Sequence, residues 1–115
     1  MHSLGQSMQE CIRDCLLCYQ ICRRDAMNHC LETGGSHVEP RHFRLMTGCA
    51  ELCRTAADLM LSNLDLHGSV CAACADICEA CARSCAGLEG MDECVQACRR
   101  CAHSCRKMAG AEALP

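Results

Sequence analysis

The chain has 115 residues, of which 16 are cysteine, and it carries a formal net charge of −3 at pH 7. With no tryptophan, one tyrosine and one phenylalanine, it lacks the aromatic platforms and the positive charge typical of nucleic-acid-binding domains. No apolar run approaches the roughly 20 residues that a transmembrane helix needs, and no phosphate loop or H-E-x-x-H motif is present. We therefore expect a single domain over residues 1–115 that is not an enzyme and binds neither nucleic acid nor membrane.

The expected compartment follows from the N-terminus and the cysteines. Residues 1–7 show no basic segment followed by an apolar run, so no signal peptide is predicted. The simplest location is the cytoplasm, where thiols stay reduced. In that setting a high cysteine count indicates metal binding before it indicates disulfides.

The first predicted helix covers about residues 7–32, with Ser7 and Glu10 placed to form a capping box. Its first four cysteines recur at steps of three or four, which puts them on one helical face: Cys11, Cys15, Cys18 and Cys22. Continuing this face leads to His29, whereas Cys30 is expected roughly 100° away from it; both are still counted among the candidate metal ligands. The Gly34–Gly35 pair predicts the turn that follows.

The second predicted helix covers about residues 40–66 and begins with Pro40, a residue favoured in the first helical turn. One face carries soft ligands and spans the length of the helix: His42, Met46, Cys49, Cys53, Met60. Beside it, leucines at seven-residue intervals predict ordinary helix packing: Leu45, Leu52, Leu59 and Leu66.

The third and fourth predicted helices, about residues 69–86 and 91–109, repeat the cysteine face of the first. The residues concerned are Cys71, Cys74, Cys78, Cys81 and Cys85, then Met91, Cys94, Cys98, Cys101 and Cys105. A helix normally places leucine, isoleucine or valine on its buried face. Here that face is made of sulfur.

Four helices joined by short loops predict an all-α fold, an antiparallel up-down-up-down four-helix bundle with a cysteine-lined core. Every cysteine except Cys30 would then face one central axis. The antiparallel order places His29, His42, Met46 and Met91 together at one end, as candidate ligands through which ions reach the thiolates. Met60, His67 and Met108 fall at the other end, where Met60 and Met108 are expected to plug the bundle. His37 and His103 are expected to face solvent.

The charge of the core favours a monovalent ion. Thiolates are soft ligands that select Cu(I), zinc or iron–sulfur clusters. Uncompensated buried charge is very costly, and a zinc ion held by four thiolates leaves each site at −2. One Cu(I) for each thiolate leaves the core neutral. The sequence therefore predicts a capacity on the order of the cysteine count, which is typical of a storage protein.

Other interpretations stay open at this point. The chain could be a small iron–sulfur redox protein, since Cys11-x-x-x-Cys15-x-x-Cys18 matches the cluster motif of radical enzymes, although it is too short for their barrel. A zinc- or cadmium-sequestering bundle and a disulfide-stapled structural bundle are further alternatives.

The C-x-x-C and C-x-x-x-C steps on all four helices resemble the bacterial copper-storage proteins of the cytosolic, four-helix-bundle type. The most specific segments are 11–22, 71–85 and 94–108. The resemblance implies several Cu(I) ions bound by inward cysteines and a homo-oligomer, commonly a tetramer, with a copper chaperone or copper enzyme as partner. Relatives can carry a histidine-rich turn before the fourth helix, where this chain has Leu88-Glu-Gly-Met91. Met91 is therefore expected to replace those histidines.

Overall fold

The structure is a computed structural model that describes residues 4–112, with side chains as far as Gly110. Its four long helices are α1 (Gln6–Asp25), α2 (Pro40–Leu61), α3 (His67–Cys85) and α4 (Asp92–Glu112). A π-helical turn (Ala26–Cys30) and a short helical segment (Leu31–Thr33) continue α1, and a 3-10 turn (Gly35–Val38) leads into α2. Residues 4–112 contain no strand, and none of the helices formed by them is long and apolar enough to cross a membrane.

Each helix packs against two others, so that the order around the bundle is α1, α2, α3, α4 and back to α1. Because successive helices are joined by short turns, neighbours run antiparallel. This confirms the predicted up-down-up-down four-helix bundle. The buried interior consists almost entirely of cysteine, alanine and methionine, and among the described residues it contains no phenylalanine, tyrosine or tryptophan.

The start of α1 differs from the prediction. The helix begins at Gln6, and its preceding residue, Gly5, offers no side chain to cap it. Instead the side-chain amide of Gln9 donates to the carbonyl of Leu4 at 2.6 Å. The predicted capping box at Ser7 is therefore wrong.

The π-helical turn rotates the end of the first helical segment. A π-turn contains one residue more than an α-turn, and one residue corresponds to about 100° of rotation. Cys30, expected off the cysteine face, is thereby returned to it and is fully buried. The prediction that Cys30 lies away from the core is wrong. His29 turns outward instead.

Different interactions determine where α2 begins and where it ends. The carboxylate of Glu39 accepts hydrogen bonds from the backbone amides of Arg41 and His42, both at 3.0 Å, and Pro40 occupies the first turn as predicted. At the other end Asn63 adopts a left-handed φ of +52°. The amide of Leu64 then bonds to the carbonyl of Leu59, and that of Asn63 to Met60, which is a Schellman stop.

This stop ends α2 at Leu61 instead of the predicted residue 66. Leu66, predicted as a packing residue, lies in the turn and is 62% exposed. Helix α3 begins at His67, two residues earlier than predicted, and α4 continues past the predicted end at 109 to Glu112. These shifts leave the cysteine faces in place because the helical step along each face is unchanged.

Candidate metal centre

All 16 cysteines are free thiols with no solvent exposure. The Sγ atoms of 14 of them form a continuous chain of contacts along the bundle axis, which we call the thiol column; the other two, Cys30 and Cys71, contact methionine sulfurs at its ends. Within one helix, pairs of cysteines four residues apart come as close as 4.0 Å for Cys11–Cys15 and 3.9 Å for Cys18–Cys22. The shortest contacts join different helices: Cys22–Cys94 and Cys53–Cys78 are each 3.5 Å apart. The thiol column is therefore a property of the assembled bundle.

Groups of four thiols follow one another along the thiol column. In each group every Sγ atom lies within 4.8 Å of the other three. Successive groups share members, so an ion in one group has ligands in common with the next. From one end to the other, five such groups are Cys15/Cys74/Cys101/Cys105, Cys53/Cys74/Cys78/Cys101, Cys18/Cys49/Cys53/Cys78, Cys18/Cys22/Cys49/Cys98 and Cys22/Cys81/Cys94/Cys98.

The thiol column is electrically neutral only while its thiols keep their protons. Contacts with Cys18 and Cys22, together with burial, raise the pKa of the Cys98 thiol. Contacts with Cys101 and Cys18 raise the pKa of Cys53 in the same way. Burial raises the pKa of Cys30, near the end of the thiol column, to about 11. A cation that replaces these protons therefore gains the thiolates without adding net charge to the core.

At the end formed by the first and third turns, thioethers and an imidazole extend the thiol column; we call this the His42 end. The Sδ atom of Met46 lies 3.4 Å from Cys85 and 3.6 Å from Cys81. Beyond it, the Cys30 Sγ lies 4.0 Å from the Met91 Sδ and 3.9 Å from the His42 Nε2. Three of the four non-cysteine ligands predicted for this end are thus brought to the thiol column.

Ser84 orients the imidazole of His42. The Ser84 hydroxyl lies 2.7 Å from Nδ1 of His42, which leaves Nε2 facing Cys30. His42 is only 3% exposed, and burial lowers its pKa, so that the ring is neutral near pH 7 and can bind a metal. A hydrogen bond to the ring nitrogen that faces away from a metal fixes the orientation of a histidine ligand. Nothing in the sequence pattern singled out Ser84, because its importance depends on a contact between α2 and α3.

His29, the fourth predicted ligand, is not brought to the thiol column. Its Nε2 lies 2.9 Å from the backbone carbonyl of Glu89, in the turn between α3 and α4. The Nε2 of His37 lies 2.8 Å from the same carbonyl, and the two rings meet edge to face with centroids 5.1 Å apart. His37 is 6% exposed, so the prediction that it faces solvent is wrong. Both histidines thus hold the α3–α4 turn, which carries Met91, in place through the carbonyl of Glu89.

The opposite end of the thiol column, which we call the His67 end, also carries soft ligands. Cys11 and Cys105 lie 3.7 Å apart, and the Cys71 thiol donates to the Met60 Sδ at 3.8 Å. Met60 and Met108 are buried here as predicted. The Nδ1 atom of His67 is buried as well and has no hydrogen-bond partner.

A helical bundle that directs 16 thiols to one buried axis is a protein that holds several soft metal ions in its own core. The comparison with known families gives the particular class. The model of the copper storage protein family matches residues 4–110, and the chain belongs to this family.

Solved structures agree with this assignment. A crystal structure of a protein from Nitrosospira multiformis is 57% identical with a TM-score of 0.91, and the match covers 92% of this chain and 97% of that one. The Cu(I)-bound copper storage protein BsCsp3, from Bacillus, is 35% identical with a TM-score of 0.82, covering 90% and 99%. A cytosolic copper storage protein from Streptomyces lividans, with five coppers, is 30% identical with a TM-score of 0.74, covering 91% and 93%. No curated protein matches the chain. The predicted resemblance is confirmed.

Proposed function

We propose that this protein stores Cu(I) in the cytoplasm by binding many cuprous ions to the cysteines of the thiol column. The observation that carries the proposal is the unbroken series of four-thiol groups that share members. A protein with one or two structural or redox sites needs only four to eight ligands. The cytoplasmic location is supported by the similarity to the cytosolic storage protein from Streptomyces lividans.

Charge favours Cu(I) over zinc or cadmium. Three of the four-thiol groups share no member, namely Cys15/Cys74/Cys101/Cys105, Cys18/Cys49/Cys53/Cys78 and Cys22/Cys81/Cys94/Cys98. Zinc in each would leave every site at about −2, in a core whose other members are alanine, methionine and a few aliphatic side chains. Cu(I) at about one ion for each thiolate leaves no net charge, which is the cheaper state in a buried column.

Uptake is proposed to occur at the His42 end. His42, Met46 and Met91 offer neutral imidazole and thioether donors beside Cys30 and Cys85. Neutral donors hold Cu(I) less tightly than thiolates do, so they suit an ion in transit. His29 joins this set once its ring leaves the carbonyl of Glu89. A copper chaperone or a copper enzyme is the proposed partner, and no catalytic step is part of the function.

A homo-oligomer is proposed as the working form, as the family resemblance implies. Several leucines of the described chain are largely exposed, among them Leu31 at 53%, Leu61 at 54% and Leu66 at 62%. Sedimentation of the metal-free protein would show a tetramer if the resemblance extends to assembly.

The identity of the bound metal is tested by titrating the protein in competition with metal chelators. Reduced, metal-free protein is titrated anaerobically with Cu(I) in the presence of a cuprous chelator, and separately with zinc in the presence of a zinc chelator. We expect Cu(I) to displace bound zinc and to reach a higher count of ions per chain. A parallel iron and sulfide reconstitution should give no coloured cluster; a coloured product holding a few irons would support the redox alternative instead.

A further inference from the structure

We propose that the His67 end of the bundle contains a terminal Cu(I) site, formed by Nδ1 of His67, Sγ of Cys71 and Sδ of Met60. The inference rests on the proposed storage of Cu(I). It adds a copper site at the end of the thiol column opposite His42, in which imidazole, thiolate and thioether bind one ion.

The unsatisfied nitrogen of His67 is the first observation. Buried polar atoms are nearly always hydrogen-bonded, and each exception calls for an explanation such as a bound ion. The Nδ1 of His67 is buried and lacks a partner, in contrast to His42, whose Nδ1 lies against the Ser84 hydroxyl. A neutral imidazole nitrogen without a hydrogen-bond partner has a free lone pair in one of its two tautomers.

The position of His67 beside Cys71 on α3 is the second observation. His67 is the first residue of α3 and Cys71 follows four residues later, so the two occupy adjacent positions on one helical face. Cys71 in turn donates to the Met60 Sδ at 3.8 Å, and both side chains are fully buried.

The chemistry of the three donors defines the ion. One thiolate neutralises one Cu(I), while imidazole and thioether add soft donors without adding charge. Zinc at the same three atoms would leave a net charge of about +1 in a buried site. The combination repeats the cysteine, histidine and methionine set of Cys30, His42 and Met91 at the other end, although different helices supply it. Each end of the thiol column therefore offers a site that has no net charge when it holds one Cu(I).

Copper anomalous diffraction from Cu(I)-loaded crystals tests the site directly. We expect an anomalous peak about 2.0 Å from Nδ1 of His67, by analogy with zinc–histidine bonds, in contact with Cys71 and Met60. Copper throughout the thiol column with no peak beside His67 would overturn this inference and leave storage intact. A thiol column without copper would overturn both.

A variant gives an independent measurement in solution. His67→Ala should hold about one Cu(I) fewer per chain than the unmodified protein, whereas His103→Ala, which removes an exposed histidine of α4, should lose none. An equal copper count in both variants would contradict the site. The diffraction experiment uses the unmodified protein, so it decides the question even if His67→Ala folds poorly.

Discussion

At the scale of single residues, the thiol group replaces the branched aliphatic side chain that normally fills a helical bundle. Buried cysteine packs as a small apolar residue with a weak S–H donor, so the metal-free core loses part of the hydrophobic stabilisation that leucine or isoleucine would supply. Bound metal compensates because its binding free energy is added to that of folding. The same side chain thus packs the core in the absence of copper and binds the ion in its presence.

Most of the inward-facing thiols could be predicted at this scale. A cysteine every three or four residues fixes a helical face whatever the exact helix ends, which is why 15 thiols were placed correctly from spacing alone. Cys30, His29 and His37 were misplaced because their orientation depends on the π-helical turn and on the carbonyl of Glu89. These features arise from tertiary contacts that the helical period does not encode.

Ser84 gives a residue-scale prediction. Ser84→Ala removes the hydroxyl that holds Nδ1 of His42, so the imidazole loses its fixed orientation toward Cys30. We expect the first phase of Cu(I) uptake, followed by stopped-flow transfer from a coloured cuprous complex, to slow by about tenfold. The final copper count should stay the same, because the thiols are untouched.

The matched variant is Ser84→Thr, which retains the hydroxyl and should restore the rate. His103→Ala, on the exposed face of α4, serves as a control for loss of a histidine. Unchanged uptake in Ser84→Ala would show that ions do not pass His42.

At the scale of elements, the turns decide which ligands gather at each end of the thiol column. The α3–α4 turn is fastened by two imidazoles on the carbonyl of Glu89 and places Met91, fully buried, over Cys30. Gly90 makes this possible: its φ is +78°, and a Cβ atom there would lie 2.6 Å from Nε2 of His29. The helices and the turn positions could be predicted from glycine and proline. The end of α2 could not, since Asn63 in a left-handed conformation gives a weaker signal than glycine.

For this turn we predict that Gly90→Ala destabilises the protein. The substitution forces a side chain into a left-handed backbone position, at a cost of about 1–2 kcal/mol, and also displaces the ring of His29. We expect the reduced, metal-free protein to unfold at a Tm about 5 °C lower or more, as measured by circular dichroism.

Gly87→Ala is the matched control in the same turn. A Cβ atom at Gly87 meets no atom within 4 Å, and its φ is not in the left-handed region. Its free energy of unfolding should change by about 0.5 kcal/mol or less. Equal stability of the two variants would contradict the proposed fastening of the turn by His29.

At the scale of the whole molecule, four helices enclose one continuous buried column, and neutrality governs its contents. Ion pairs between exposed side chains join the helices from outside, such as Arg23 with Glu51 at 2.8 Å and Arg106 with Asp76 at 2.6 Å. Exposed pairs of this kind contribute little to stability. Among the described residues the buried core contains no lysine or arginine that could pair with a thiolate, so its metal content is limited by the protons that its thiols can release.

For the molecule as a whole we therefore predict that Cu(I) binding releases protons from the thiols. The raised pKa values of Cys30, Cys53 and Cys98 mean that these thiols are protonated near pH 7. Each bound Cu(I) should displace about one proton, and Cu(I) affinity should fall as the pH falls because protons compete for the same sulfurs. Loading in weak buffer with a pH indicator measures the ratio. A ratio well below one would mean that thiolates exist before the metal binds.

Counting the ions held by one chain tests the central claim most directly. Reduced protein, loaded with excess Cu(I) under anaerobic conditions and freed of loose copper, is weighed by native mass spectrometry. We predict ten or more Cu(I) ions per chain, on the order of the 16 cysteines, and none once the thiols have been alkylated in the unfolded chain. A limit of one to four ions, or a count that survives alkylation, would contradict storage in the thiol column.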